Sequence, residues 1–166
     1  ILRELGTSDG RLVAGGEYMP DLSIPESDDC GGIAIWLSDD STVWSRVPHD
    51  PGVFCAAGGA SVGGIAVSGD TIVVVGESKR VDSPVVATVG TVWASQDRGA
   101  SWHVISGPED VFGDGTGFDG VEMRSVIELD GSYLAYLLPS EYQRRKRGER
   151  QLVRIVEYTI TDPALP

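Results

Sequence analysis

The run Arg144-Arg145-Lys146-Arg147 is the densest concentration of one chemistry in the chain, a basic cluster in a protein of formal net charge −12. It suits an anionic glycan or an acidic partner, and as a solvated loop it would also be open to proteases. A second polar stretch, Gly107 to Gly120, sets Glu109, Asp110, Asp114 and Asp119 among glycines. Oxygen-rich loops of this kind can hold Ca²⁺, but the spacing matches no EF-hand and reads as solvated surface. The candidate binding residues are therefore Arg144, Arg145, Lys146, Arg147, Asp110 and Asp114. His49 and His103 are the only histidines. Neither has a second histidine or a cysteine at a ligand spacing, so no metal site is expected. No Gly-x-Ser-x-Gly supports a Ser-His-Asp arrangement, and no cofactor is expected. Cys30 and Cys55 leave two options open, one bridge in an oxidising compartment or two buried thiols.

These groups must be positioned by a chain of 166 residues, 41% hydrophobic and 23% charged, which is long enough for a core of its own. Its acidity disfavours nucleic acid and an anionic membrane surface. No apolar run approaches the ~20 residues of a membrane span, and no signal peptide is read. Starting at Ile1 without a methionine, the chain is expected to be a processed, truncated or partial product. An extracellular or cell-envelope location is expected. With 22 glycines and nine prolines, the composition points to many short strands joined by turns.

The strands repeat. Ser8-Asp9-Gly10-Arg11-Leu12-Val13-Ala14-Gly15-Gly16 recurs as Ser68-Gly69-Asp70-Thr71-Ile72-Val73-Val74-Val75-Gly76, and again from Leu129-Asp130-Gly131 to Leu137. Each copy is a turn followed by an apolar, β-rich run. A second element follows at a similar distance. Ala34 to Asp40, with Val43 to Val47, matches Thr91 to Asp97, with Ser101 to Ile105. A third copy, Glu157 to Asp162, keeps an aromatic residue and the Asp. Each unit reads as four strands, in the second unit about 63–68, 71–77, 90–95 and 101–105, with no helical periodicity. A helix-free unit of this kind in three copies predicts an all-β fold, a β-propeller with about three four-stranded blades visible. The blades are placed at about 1–60, 61–120 and 121–166. The long connections, 18–31, 79–89 and 139–151 within blades and 48–61 and 106–120 between them, are expected on one face, where ligands bind.

Ser95-Gln96-Asp97-Arg98-Gly99-Ala100-Ser101-Trp102 resembles the Asp-box, or BNR repeat, Ser-x-Asp-x-Gly-x-x-Trp. Ser38 to Trp44 resembles a second copy, one residue shorter and lacking the glycine. The resemblance implies a sialidase-like propeller with its boxes in turns opposite the binding face. Ser38, Asp40, Trp44, Ser95, Asp97, Gly99 and Trp102 are then structural: Asp accepts turn N–H groups, Gly supplies positive φ and Trp packs between blades. Proteins with such boxes include sialidases, other glycosidases, sortilin-type receptors and photosystem assembly factors, so the resemblance does not decide activity. A sialidase site needs an arginine cluster, a Tyr backed by Glu, and an Asp. The family's Arg-Ile-Pro motif is absent, Arg124 and Arg154 read as strand residues, and the adjacent Glu157 and Tyr158 point to opposite faces.

The third unit ends where its fourth strand should begin, and three blades do not close a ring. Missing N-terminal blades, or a homodimer of two three-blade halves, are the expected completions. The functional expectation is a non-enzymatic scaffold presenting one loop face to a protein or glycan. The alternative is a glycoside hydrolase with catalytic residues partly outside this segment.

Overall fold

The computed structural model describes residues 1–18, 30–81, 86–105, 121–139 and 154–158. Three antiparallel sheets follow one another along the chain. The first is β1 (Leu2–Ser8), β2 (Arg11–Tyr18), β3 (Gly32–Ser38) and β4 (Ser45–Arg46), paired in sequence order. After a single helical turn, α1 (Pro51–Phe54), the second comprises β5 (Ala60–Ser68), β6 (Thr71–Val81), β7 (Val86–Ser95) and β8 (His103–Ile105). The third contains β9 (Val121–Leu129), β10 (Ser132–Pro139) and β11 (Arg154–Tyr158), three strands among the described residues.

Local chemistry explains the hairpins. Asp9-Gly10 joins β1 to β2 and Asp130-Gly131 joins β9 to β10, and all four residues have left-handed φ. That backbone fits the right-handed twist of paired strands, and Asp with Gly tolerates it best. The connection Val47–Gly59 is not free of helix, as the sequence reading had it. Pro51 presets the first turn and the Asp50 carboxylate accepts the Gly52 N–H at 2.8 Å, which suffices for one turn. The expected 79–89 loop is also corrected. β6 and β7 continue pairing from Lys79↔Thr88 to Val81↔Val86. Lys79 and Arg80 look like loop residues by polarity, but Lys79 is exposed and backbone pairing needs no apolar side chain.

Sheets stack face to face. On β6, Ile72 and Val74 join an apolar cluster with Val13, Ile33, Ile35, Phe54, Val62 and Trp93. Their neighbours Val73 and Val75 join a second cluster with Met123, Val126, Tyr133, Ala135 and Leu137. Successive residues of a strand face opposite ways, so the second sheet is buried on both sides, and its Ile72–Val75 run is at most 2% exposed. The inner strands lie side by side, with β5 between β1 and β9. Gly63 makes the last approach close: a Cβ there would collide with the Met123 carbonyl. Successive four-stranded sheets, packed by their faces and joined at innermost strands, form an arc of a β-propeller.

Candidate functional site

The three innermost strands share an irregularity that no apolar pattern announces. Between Leu2 and Glu4, between Val62 and Gly64, and between Met123 and Ser125, each inserts one extra residue opposite its partner. The extra residues are Arg3, Gly63 and Arg124. A bulge breaks the strict alternation of a strand and re-aims the side chain it carries. All three lie near the start of their strands, at the end of the arc where the connections between blades arrive.

Carboxylates surround them. Arg3 pairs with Glu17, at the end of β2, at 3.0 Å. Arg124 donates from Nε to Glu122 Oε2 at 3.1 Å and from Nη2 to the same oxygen. Glu122 is buried, its side chain 12% exposed, while Arg124 stays 54% exposed. Glu77, in the second half of β6, is the repeat counterpart of Glu17, since Gly76-Glu77 matches Gly16-Glu17. Burial pushes the Glu77 carboxyl above the usual glutamate value, and the negative Glu122 adds to the rise. Lys79, the Ser61 hydroxyl and Arg124 pull the other way. Two carboxyls thus stand close enough to feel each other, one held by a guanidinium and the other biased toward its protonated form. Carboxyls so placed can bind sugar hydroxyls.

A second cluster fastens the connection between the first two sheets at the same end of the arc. Cys30 and Cys55 form a disulfide with a Cα separation of 5.6 Å. His49 Nε2 lies 3.7 Å from Cys30 Sγ and 3.4 Å from Cys55 Sγ. Tyr18 and Phe54 flank the imidazole at ring centroid distances of 5.6 and 6.3 Å.

The opposite end of the arc holds the Ser-x-Asp turns, and their polar atoms are engaged within the turns. Asp97 accepts the Ser101 N–H at 2.8 Å and hydroxyls from Ser95 at 2.8 Å and Ser101 at 2.5 Å. These donors hold its carboxyl at about 2, below the usual 3.8. Gly99 N–H donates to Ser95 Oγ at 2.8 Å, and Trp102 Nε1 donates to the Gly99 carbonyl at 3.1 Å. In the shorter turn Asp40 accepts the N–H groups of Val43 at 2.7 Å and Thr42 at 2.8 Å, and Ser41 takes the left-handed φ. Those bonds lower the Asp40 carboxyl as well.

Sequence reasoning placed binding on Arg144, Arg145, Lys146, Arg147, Asp110 and Asp114, all outside the described residues. It read Arg124 as a partly exposed strand residue, and Arg124 does lie half-exposed in β9, where the bulge also sets it beside Glu122. Arg154 pairs by backbone with Leu137 in β11, within the third sheet. The Glu77 and Glu122 pair and the His49 contacts were missed. The repeated Gly-Glu in the second strand of the unit was a readable signal for Glu17 and Glu77. No ligand spacing announced the meeting of Cys30, His49 and Cys55, because Cys30 precedes β3 while His49 and Cys55 flank α1 in the next connection.

No protein-family model matches this chain, and no curated protein matches it. Solved structures do. The sucrose-6-phosphate hydrolase of Lactobacillus gasseri superposes with a TM-score of 0.56 at 12% identity, covering 95% of this chain and 32% of that one. The Bombyx mori GH32 β-fructofuranosidase gives 0.53 at 14% identity over 95% and 32%. The Trypanosoma rangeli sialidase, in complex with sialic acid, gives 0.53 at 13% over 95% and 28%. The likeness is one of fold, to β-propeller glycoside hydrolases. The chain spans about a third of the length of these proteins.

Proposed function

We propose that the chain is an arc of an Asp-box propeller that binds a glycan at the bulged ends of its inner strands, without turning it over. What supports this most is the repeated bulge. It brings Arg3 and Arg124, with Glu17, Glu77 and Glu122, to the end of the arc that carries the long connections. The other end of the arc also carries exposed charge, in Arg98, Asp39 and Asp70, but its Asp97 and Asp40 are engaged by their own turns. Arginine forks and carboxylates suit sugar carboxyls and hydroxyls. The structurally similar proteins act on carbohydrates, in keeping with this choice of ligand class. In this reading further blades complete the ring and bring the rest of the site.

Calorimetric titration with acidic and neutral oligosaccharides tests it. Arg124→Ala is expected to weaken binding at least ~10-fold, the loss of a charge-assisted pair. Arg98→Ala, at the opposite end, is expected to leave it unchanged. Equal affinity in Arg124→Ala and the parent chain would overturn the placement.

One observation favours hydrolysis as the second reading: Glu77 is pushed toward its acid form beside an arginine-held Glu122. Fluorogenic fructosides and sialosides would be turned over in that case. Glu77→Gln would then lower the rate by about 10²-fold or more, as removal of a general acid does. A clean absence of turnover across the panel leaves binding alone.

A further inference from the structure

We infer that Cys30, His49 and Cys55 form a three-ligand site for a thiophilic divalent cation of the zinc class, open when the disulfide is reduced. The three donor atoms all lie within 4.8 Å of one another. The imidazole presents the same nitrogen to both sulfurs, at 3.7 and 3.4 Å. With metal–nitrogen bonds of about 2.0–2.1 Å and metal–sulfur bonds of about 2.3 Å, neighbouring nitrogen and sulfur ligands of a tetrahedral zinc ion stand about 3.5 Å apart. The observed distances bracket that edge in the oxidised form, and on reduction the two sulfurs need only part from bonding distance to about 3.8 Å to complete the ligand triangle. Two thiolates and one imidazole are ligands that zinc prefers, and three protein ligands leave a fourth position for water or an incoming donor.

The backbone around the site is prearranged. Gly32 and Cys55 pair as an isolated antiparallel bridge, and the Ala56 N–H donates to the Gly31 carbonyl at 3.1 Å. These bonds keep Cys30 and Cys55 near each other whether or not the sulfurs are joined. His49 is set one residue before Asp50, whose carboxylate and carbonyl start α1. The turn of α1 then returns the chain to Cys55. Partial burial of all three donors limits competition from water.

Disulfide and metal compete for the same two sulfurs. A water-soluble phosphine opens the bond by forming a phosphine oxide with the oxygen of one water, and the two protons of that water end on the two sulfurs. The cation then displaces both protons and binds the thiolates. The bound ion would clamp β3 to the connection that carries Phe54, a residue buried between the first two sheets.

The test uses the whole chain, oxidised or reduced anaerobically with a phosphine, titrated with Co²⁺ and then Zn²⁺. The reduced chain is expected to bind one equivalent of Co²⁺, with the thiolate charge-transfer and tetrahedral ligand-field bands, and to lose both bands to Zn²⁺. The oxidised chain is expected to show neither. Cys30→Ser and Cys55→Ser should abolish most of the charge-transfer intensity. His49→Ala keeps both sulfurs, and a circular dichroism spectrum and melting temperature like the parent's would show that it folds, yet its affinity should fall on the order of 100-fold or more. A reduced, folded chain without the charge-transfer band would overturn the site. Unchanged cobalt spectrum and affinity in His49→Ala would remove the histidine from it.

Discussion

Trp102 and Trp44 close the same kind of turn in neighbouring sheets, and they meet different surroundings. Trp102 lies edge-on to Phe54 at 5.9 Å, against the cluster that joins the first two sheets. Trp44 is 39% exposed. The pattern extends up the sheets. Trp93 is 2% exposed and donates to the Val53 carbonyl at 2.9 Å, while its repeat counterpart Trp36 is only half-buried. Ile65 packs on the inter-sheet cluster, while Leu5, in the same register of the first sheet, is 59% exposed. At the other end of the arc, Ala66 is 7% exposed and its counterpart Ile127 is 56% exposed. Equivalent repeat positions are therefore buried or not according to the sheet stacked against them. A blade does not own its core; its neighbours supply it, as in other repeat architectures.

The sharpest way to break this comparison is to delete the two tryptophans separately. Trp102→Ala removes a packed ring and an indole hydrogen bond, so a loss of about 3 kcal/mol is expected. Trp44→Ala removes a ring that packs little, and a loss below about 1 kcal/mol is expected. Urea unfolding midpoints of the two variants decide it. Equal losses would mean that Trp44 has a packing partner in solution, as a completed ring would provide.

The turns and the tryptophans were legible because they use chemistry with few substitutes. Asp-Gly at a hairpin, Ser-x-Asp in a turn and Trp two residues before the Ser each repeat in register, so three sheets of consecutive strands could be read. The bulges were not legible. Arg3, Gly63 and Arg124 share a backbone geometry and no side-chain property, and a single inserted residue hides within a short alternating strand. The extent of β6 and β7 was underestimated because Lys79 and Arg80 are polar, although pairing at a hairpin end needs no burial. The meeting of Cys30, His49 and Cys55 depends on how the connection between sheets folds back, which neither spacing nor periodicity encodes.

Acid separates the two turns by a smaller margin. Both aspartates sit below the usual carboxylate value, because turn N–H groups and hydroxyls favour the charged form. Asp97 has more donors, the Ser101 hydroxyl among them. A carboxyl whose folded value is depressed contributes stability that is complete above its unfolded value and is lost as pH falls through the folded one. For Asp97 that window runs from the usual 3.8 down to about 2. Because Asp97 is exposed, screening reduces the contribution to on the order of 1 kcal/mol. Asp97→Asn should therefore be less stable than the parent at neutral pH, and the gap should close as pH approaches about 2. Unfolding midpoints measured across that range check it. A gap that does not change with pH would mean that the carboxylate charge is irrelevant to the turn.

The smallest effect is expected where the two turns touch. Arg98, from the second turn, reaches Asp39 of the first at 3.8 Å and Asp70 of its own sheet at 3.4 Å. All three side chains are more than half exposed. Pairs of this kind gain little in water, so Arg98→Ala should cost no more than about 0.5 kcal/mol, and less in high salt. Arg11 makes the informative contrast. Its side chain is 10% exposed, lies 2.8 Å from Asp39 and donates to the Arg98 carbonyl at 3.0 Å. That carbonyl belongs to the backbone of the second turn, so Arg11 bonds across the sheet boundary whatever the Arg98 side chain does. Arg11→Ala should cost more than Arg98→Ala and keep most of its effect in salt, because a largely buried guanidinium is screened less. If both variants respond to salt alike, the contact between the turns is held by exposed charge, and the buried clusters alone join the sheets.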